Sequence, residues 1–193
     1  QMLRPEPKGK VGGAENDRTK TSAPCMIVFC EFEQQFYLIE LARRYGLNHY
    51  INLVFRKNYS AQVLKANMKI VGNCEYGLVL YRDKLPKFNN NGKMVFNSIY
   101  MERDTTTPKI PPTQKSISTL RHLIGLFTDE NEVVIDPCAG SGSTLLAAKQ
   151  MGRRAYGFEI KKDFVKDFNE KLLATCQMGL FNQNKKSEQI SLF

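Results

Sequence analysis

Two kinds of apolar segment alternate along most of this 193-residue chain. Short runs rich in β-branched and aromatic residues predict strands at 25–30, 50–55, 75–81, 132–136 and 155–159. Apolar residues at helical spacing predict helices over 34–45, 115–127, 144–152 and 163–175. Because strands alternate with helices, the pattern predicts an α/β fold with a parallel sheet.

Less regular segments lie at both ends and in the middle of the chain. Residues 1–24 are polar and contain several prolines and glycines, so we expect a loop or mobile segment. Residues 25–178 are expected to form one folded domain, in which 56–112 is basic and loop-rich. Residues 179–193 are mostly polar and are expected to form a flexible tail.

The composition argues against several classes of protein. An apolar fraction of 42% is too high for a disordered chain, and no run of about 20 apolar residues could cross a membrane. The five cysteines are odd in number and lack the spacings of a metal site, which fits a reducing compartment. We therefore expect a cytoplasmic protein without a bound metal.

The net charge of +9 is concentrated in the middle of the chain. Residues 43–121 carry 14 basic and 4 acidic side chains, whereas residues 122–193 carry 9 of each. Residues 25–42 carry three acidic side chains and no basic one. A basic segment attached to a neutral one predicts a polyanion-binding surface beside a separate site; a solvated basic surface is the alternative.

A glycine-rich turn between a predicted strand and a predicted helix is the most specific feature. Residues 133–144 read Val-Val-Ile-Asp-Pro-Cys-Ala-Gly-Ser-Gly-Ser-Thr, with Gly140 and Gly142 in the turn. Glycine permits close ligand approach, and amides at a helix start attract electron-rich atoms. Leu145 replaces the third glycine of a dinucleotide-binding turn, so a pyrophosphate site is not predicted. A turn that needs glycine for packing alone is the alternative.

Two acidic residues lie at the ends of the strands beside this turn. Asp136 ends one strand, where its carboxylate could pair with a cationic group. Glu159 ends the next, 17 residues after Gly142, where a carboxylate accepts both hydroxyls of a ribose. A ligand with a cationic amino acid part, a ribose and no phosphate matches S-adenosylmethionine, so we expect this cofactor.

Residues 136–144 resemble the cofactor motif of the DNA amino-methyltransferases, usually written DPFxGSGTT. Residues 110–115 resemble the segment before that motif, and residues 50–57 and 73–75 are similar to two further family segments. The resemblance covers residues 25–175 and implies a class I methyltransferase (Rossmann-like) fold of the circularly permuted β class. That fold has a mixed, mostly parallel sheet with helices on both faces. The implied cofactor contacts are Asp136, Pro137, Cys138, Ala139, Gly140, Ser141, Gly142, Glu159, Ile160, Thr113, Gln114 and Lys115.

The family's catalytic motif, Asp/Asn/Ser-Pro-Pro followed by an aromatic residue, occurs nowhere in the sequence. In the family it accepts the hydrogens of an exocyclic amino group and stacks on a base turned out of the duplex. We therefore name no catalytic residue. Because the motif would precede the strand at 25–30, we expect an N-terminal part to be missing; residues absent from the structure or a catalytically silent protein are the alternatives.

The basic middle of the chain lies where the family's target-recognition region is expected, at about 56–112. Basic side chains bind phosphates and amide side chains reach base edges. The predicted DNA contacts are Arg56, Lys57, Asn58, Lys65 and Lys69. The segment is short for a recognition region, so we expect a short target site or help from a second subunit in a homodimer.

The last five residues, Gln-Ile-Ser-Leu-Phe, resemble the sliding-clamp-binding peptide of bacterial replication proteins. The resemblance implies that Leu192 and Phe193 enter an apolar groove and that Gln189 fixes the register. A tail that packs on its own domain is the alternative.

The combined expectation is methylation of an exocyclic amino group in double-stranded DNA by a nucleoid-associated enzyme that uses S-adenosylmethionine. The 6-amino group of adenine is preferred because adenine enzymes are the commoner members of the family. The alternatives are the 4-amino group of cytosine, an RNA or protein substrate for the same fold, and a non-catalytic DNA-binding or regulatory subunit that keeps the cofactor pocket.

Overall fold

A computed structural model describes residues 23–59, 62–102, 114–173 and 191–192 of the chain. The chain divides into two compact units, Gln1–Arg103 and Asp104–Phe193. The first unit contains β1 (Cys25–Cys30), α1 (Gln34–Arg44), β2 (His49–Lys57), β3 (Gln62–Lys65), β4 (Ile70–Gly72), β5 (Cys74–Tyr81) and β6 (Ser98–Met101). The second contains α2 (Ile117–Phe127), β7 (Val133–Asp136), α3 (Ser143–Gln150), β8 (Arg154–Gly157), α4 (Lys162–Asp167) and β9 (Ser191–Leu192).

The main sheet of the first unit has the strand order β1-β5-β2-β6. β5 lies between β1 and β2 and is antiparallel to both, whereas β2 and β6 are parallel. β1 and β2 therefore run in the same direction, as a strand–helix–strand unit requires, but they are not neighbours. The predicted mixed sheet is therefore present, but the prediction that it is mostly parallel is met only in part, because β5 returns between the two strands that α1 connects.

Helix α1 packs on one face of this sheet because its apolar residues recur at helical spacing. Ala42 and Leu47 are buried with Leu78 and Leu80 of β5, and Leu38 is among the partly buried residues that pack against them. Each buried leucine contributes about 2 kcal/mol to stability. The helix ends as the sequence predicts: Gly46 has a φ of +76°, and Leu47 donates its amide to the carbonyl oxygen of Ala42.

The opposite face of the sheet buries aromatic side chains. Phe55 and Val79 are completely buried, and the rings of Phe29 and Phe55 are 4.9 Å apart. Gly77 lies beneath this pair, where an added Cβ would come within 3.1 Å of the Phe55 ring. Phe55, in the aromatic place of the family segment, is therefore a core residue of the first unit.

Three short strands of the first unit were not predicted from the sequence. β3 and β4 form a separate two-stranded hairpin in the basic segment, and β6 lies in the segment expected to be a loop. All three have four residues or fewer; β3 and β6 mix polar residues with apolar ones, and β4 is only Ile-Val-Gly. They lack the continuous apolar run of a buried strand, so periodicity could not reveal them.

The described sheet of the second unit is entirely parallel, with the order β7-β8-β9. Helix α3 packs on β7 and β8, and α2 packs on α3. Four apolar side chains of β7, β8 and the residue after β8 are each about two fifths exposed: Val133, Ile135, Tyr156 and Phe158. Helices on both faces are therefore not confirmed for the described part of this unit. The predicted helix over 163–175 is confirmed through residue 173, but it changes from α4 to a π-helical segment at Phe168–Leu173.

Candidate functional site

The turn after β7 is held by the carboxylate of Asp136. Its Oδ1 accepts a hydrogen bond from the amide of Cys138 at 3.0 Å, the local pattern that makes aspartate a frequent turn residue. The strand pairing continues past the last residues of β7 and β8, because Phe158 donates its amide to Asp136 O and Ala139 donates to Phe158 O. The turn is therefore fixed to β8 as well as to its own strand.

The two glycines of the turn have different requirements. Gly140 has a φ of +53°, and an added Cβ would meet nothing closer than 3.9 Å, so space is open beside its backbone. Gly142 has a φ of +73°, and an added Cβ would lie 2.1 Å from the ring of Phe168. Gly142 is thus required for packing, as the alternative interpretation held, whereas the surroundings of Gly140 leave room for a ligand.

Phe168 packs against the turn and is not among the residues predicted for the site. It begins the π-helical segment, is completely buried, and places its ring against the α-carbon of Gly142. π-helical segments often occur near functional sites. The sequence signal was its place in a stripe with Phe164 and Leu172, which indicates a buried helix face but not what that face contacts.

The carboxylate of Glu159 is bound to the backbone of the turn. One oxygen accepts the amide hydrogen of Gly140 at 2.8 Å, and the other accepts that of Lys161 at 2.8 Å. Glu159 is half-buried, and the side chain of the following residue, Ile160, is 95% exposed. Each carboxylate oxygen has a further lone pair, so both can accept another hydrogen bond from a ligand hydroxyl.

The start of α3 completes the described geometry. Gly142 caps this helix in a left-handed conformation, and no side chain caps its first turn. The hydroxyl groups of Ser141 and Ser143 are buried and lie 2.6 Å apart, so one donates to the other. The first backbone amides of α3 therefore lie beside the glycine turn, between Asp136 and Glu159. Amides at a helix start favour electron-rich ligand atoms.

The remaining predicted cofactor contacts lie in different surroundings. Pro137 and Cys138 are exposed and Ala139 is buried. Gln114 and Lys115 are half-buried and come directly before α2, and Thr113 lies outside the described residues. A cofactor role for this group stays a prediction. Among the described residues there is no cluster of three or more His, Cys, Asp and Glu side chains that could hold a metal ion.

The five predicted DNA contacts divide into two surroundings. Lys57 is only 8% exposed, and its ammonium group lies 3.1 Å from the Glu75 carboxylate. Arg56 is exposed, with its guanidinium 5.8 Å from the centre of the Tyr100 ring. A phosphate contact by Lys57 would therefore require its ion pair to break, whereas Arg56 is accessible. The other three predicted contacts, Asn58, Lys65 and Lys69, are exposed.

Two residues of the predicted flexible tail lie in a strand. Ser191 and Leu192 make up β9, which pairs in parallel with Tyr156 and Gly157 of β8. Gln189 and Phe193 lie outside the described residues. This pairing is the arrangement expected if the tail packs on its own domain, and clamp binding stays a prediction. No helix among the described residues has the length and apolarity to span a bilayer.

The chain is similar to several known DNA methyltransferases in sequence and in fold. The chain is 31% identical to the Type II methyltransferase M2.LlaDCHI of Lactococcus lactis subsp. cremoris over 103 residues. The aligned region covers 52% of this chain and 38% of that protein. A crystal structure of an M1.HpyAVI–SAM complex superposes with a TM-score of 0.63 at 23% identity, covering 77% of this chain and 74% of that one. The cytosine-N4-specific PvuII DNA methyltransferase superposes with a TM-score of 0.62 at 14% identity, covering 75% and 62%.

These comparisons establish the fold and the family. The superpositions show that the chain has the fold of class I methyltransferases. The chain spans only 15–38% of the length of the curated relatives it matches. The model of the family N6_N4_Mtase, described as DNA methylase, matches residues 20–170. Because that match covers well over half of the 193 residues, this chain belongs to the N6_N4_Mtase family of DNA methylases.

Proposed function

We propose that this chain binds S-adenosylmethionine at the turn after β7 and serves the methylation of an exocyclic amino group in DNA, with the 6-amino group of adenine as the target. The observation that carries the proposal is the pairing of the Glu159 carboxylate with the Gly140 amide at 2.8 Å. This contact holds an acceptor for ribose hydroxyls beside a backbone position with open space. The bound complex of M1.HpyAVI, a protein of the same fold, supports the choice of cofactor.

Each group in the turn has a role in binding. Glu159 accepts the ribose hydroxyls with the lone pairs that its two amide contacts leave. Gly140 lets the ligand approach the backbone, and the exposed side chain of Ile160 offers an apolar surface to the adenine ring. Asp136, at the end of the neighbouring strand, attracts the ammonium group of the amino acid part. When bound, S-adenosylmethionine supplies a methyl group made electrophilic by its sulfonium sulfur.

The difference in net charge between the two units supports DNA as the methyl acceptor. The second unit carries the cofactor turn and is close to neutral, whereas the basic excess of residues 43–121 lies mostly in the first. Basic side chains hold the phosphates of a duplex and position it without reading its sequence. The family membership supports a DNA substrate over RNA or protein.

Cofactor binding is tested by calorimetry with S-adenosylmethionine. Glu159→Ala and Asp136→Ala should each weaken binding by about 100-fold, because each removes charge-assisted contacts to the ligand. Glu159→Gln keeps one oxygen that can accept a hydrogen bond from the turn, so it should weaken cofactor binding less than Glu159→Ala. Asp163→Ala, which removes an exposed acid of α4 in the same unit, is the matched control. Wild-type affinity in both variants would reject the site.

The methyl acceptor is identified by incubating the protein with labelled cofactor and duplex DNA, then digesting the DNA to nucleosides. Labelled 6-methyladenine is expected. Labelled 4-methylcytosine would instead show that the 4-amino group of cytosine is the target, as the name of the cytosine-N4-specific PvuII enzyme states for that protein. Cofactor binding without methyl transfer would not by itself favour the regulatory alternative, since the chain tested contains no catalytic motif of the family.

A further inference from the structure

The β3–β4 hairpin is a two-stranded ribbon that pairs with no other described strand. Five of its apolar side chains are between 43% and 66% exposed: Val63, Leu64, Met68, Ile70 and Val71. A two-stranded hairpin is marginally stable by itself, and one whose apolar side chains lie in solvent has no core of its own. Such exposure indicates a surface that a binding partner covers.

The charge of the hairpin indicates the chemistry of that partner. Lys65 and Lys69 are exposed beside the apolar side chains, and no acidic residue occurs between Arg56 and Cys74. A nucleic acid offers phosphates to the lysines, and its sugars and stacked bases offer contacts to the apolar side chains. The combination of positive charge and exposed apolar surface therefore favours a nucleic acid over a neutral apolar partner.

The strand connections place the hairpin at the carboxyl ends of β1 and β2. It follows Lys57, the last residue of β2, and precedes Cys74, the first residue of β5. β5 is antiparallel to β1 and β2 and pairs its Tyr76 with Cys30, the last residue of β1. In open α/β sheets, ligands bind outside the carboxyl ends of the strands. The hairpin thus begins and ends at the edge of the first unit where a substrate is expected.

The tip of the hairpin presents an apolar side chain to solvent. Ala66–Met68 forms a 3₁₀ turn, and Lys69 returns the chain with a φ of +55°. The amide of Lys69 donates to the carbonyl oxygen of Ala66 at 2.9 Å, which closes the turn. Met68 is 66% exposed, and Asn67 beside it is exposed as well. Methionine is long, unbranched and apolar, so its side chain can enter a narrow gap.

We propose that the β3–β4 hairpin enters the minor groove of duplex DNA and inserts the Met68 side chain as a wedge between two base pairs. This inference rests on the proposed function, because it takes DNA to be the substrate. Lys65 and Lys69 bind phosphates beside the groove, and Asn67 reaches base edges, where an amide distinguishes A·T from G·C pairs. Opening the stack lowers the cost of turning the neighbouring target base out of the duplex.

The composition of the hairpin favours the minor groove over the major groove. In the major groove a two-stranded ribbon reads base edges with polar side chains, and apolar side chains would face unpaired donors and acceptors there. From Val63 to Val71 the sequence contains a single amide side chain, Asn67, against five exposed apolar ones. Proteins that bind the minor groove insert apolar side chains, methionine among them, between base steps and kink the duplex.

The test is the fluorescence of 2-aminopurine in a short duplex mixed with the full chain. One duplex carries the probe at the adenine of a TA step, which unstacks easily, and a second carries it inside a stiff A-tract. Stacking quenches the probe, so insertion of Met68 should raise the fluorescence more at the TA step. Met68→Ala should abolish the rise and weaken binding by about tenfold, because an apolar side chain no longer leaves water. Met68→Leu should keep most of both.

The matched control is Met94→Ala, at another exposed methionine of the first unit. Met94 lies in the connection that follows Tyr81, which pairs with the first residues of β1 and β2, at the other end of the sheet. Fluorescence and affinity should both be unchanged in this variant. Lys65→Gln with Lys69→Gln separates charge from insertion: it should reduce the salt slope of binding by about two, whereas Met68→Ala should leave that slope unchanged.

Failure of this inference is distinguishable from failure of the proposed function. Wild-type affinity and an undiminished fluorescence rise in Met68→Ala would overturn the wedge and leave DNA as the substrate. Absence of duplex binding by the wild-type chain would overturn both the wedge and the choice of DNA, whereas cofactor binding would be unaffected.

Two further outcomes concern the groove and the partner. Netropsin, a minor-groove ligand, should displace the chain from an A·T-rich duplex, and undisturbed binding at saturating netropsin would overturn the choice of groove. If Met68→Ala left DNA binding unchanged but altered association with a protein, the tip would belong to a protein interface, which would also overturn the proposal.

Discussion

At the scale of single residues, the fold gives two cysteines, Cys25 and Cys138, different surroundings. Burial raises the pKa of the Cys25 thiol from its ordinary value near 9 to about 12, and a backbone hydrogen bond only partly opposes this. Because the pKa is raised in the folded state, the resulting contribution to stability is present below pH 9 and is lost as the pH rises towards about 12. Cys138, in the turn after β7, is exposed, whereas Cys25 is half-buried.

Alkylation should therefore distinguish the two thiols. At about pH 8, iodoacetamide should modify Cys138 rapidly and Cys25 much more slowly, because only a thiolate that reaches solvent reacts and the pKa of Cys25 is raised to about 12. Peptide mass spectrometry gives the extent at each cysteine, and Cys138→Ser identifies the fast phase. Adding S-adenosylmethionine should slow the reaction at Cys138 if the proposed site is correct. Rapid modification of Cys25 in the folded protein would contradict the burial of this thiol and its raised pKa.

At the scale of elements, the pair Lys57–Glu75 joins β2 to β5. Lys57 also donates its backbone amide to the carbonyl oxygen of Asn73 at 2.7 Å. The two segments that resemble family motifs, 50–57 and 73–75, thus meet at one place in the first unit. Lys57 is 8% exposed and Glu75 is 26% exposed, so water screens their interaction only in part.

Replacing Lys57 should destabilise the protein through this pair. Lys57→Met is expected to lower the free energy of unfolding by about 2 kcal/mol, since it leaves a half-buried carboxylate without that cation. Combining it with Glu75→Leu should recover much of the loss. Urea denaturation measures both values, with Lys93→Met as the control at an exposed lysine. A loss below about 0.5 kcal/mol, ordinary for a surface substitution, would contradict a structural role for Lys57.

At the scale of the whole molecule, the two units differ in charge. The basic excess lies almost entirely in residues 43–121, which make up most of the described first unit and the start of the second. Arg56 is exposed near the end of β2. Binding of a polyanion to such a surface releases counterions and therefore depends on salt.

DNA affinity should accordingly fall steeply with salt. If about five phosphates are neutralised, the logarithm of the binding constant should fall with that of salt concentration with a slope of about −4.5. Arg56→Gln should reduce the slope by about one and weaken binding similarly for every sequence. Arg154→Gln, at an exposed cation of β8, should leave the slope unchanged. Fluorescence anisotropy with a labelled duplex measures each slope, and a slope near zero would exclude phosphate binding by this surface.

The longer elements were predictable because their signals are local. β1 has the predicted bounds, Cys25–Cys30, and α1 and α2 differ from the predicted ranges by one or two residues. The four-residue strand β6 and the two-residue strand β9 were missed, because each forms only by pairing with a strand distant in sequence. The π-helical start at Phe168 was missed for a related reason, since its ring contacts Gly142 across 26 residues of chain.

The sequence by itself determined the glycine turn, its two flanking carboxylates and the strand–helix order, because each depends on backbone preferences within a few residues. Only the tertiary structure decided what those groups contact. It inserts β5 between β1 and β2, pairs Lys57 with Glu75, and binds Glu159 to the amide of Gly140. These contacts join residues 18 or 19 positions apart or strands that meet only in the folded sheet. Their energies depend on burial and geometry, which no local pattern specifies.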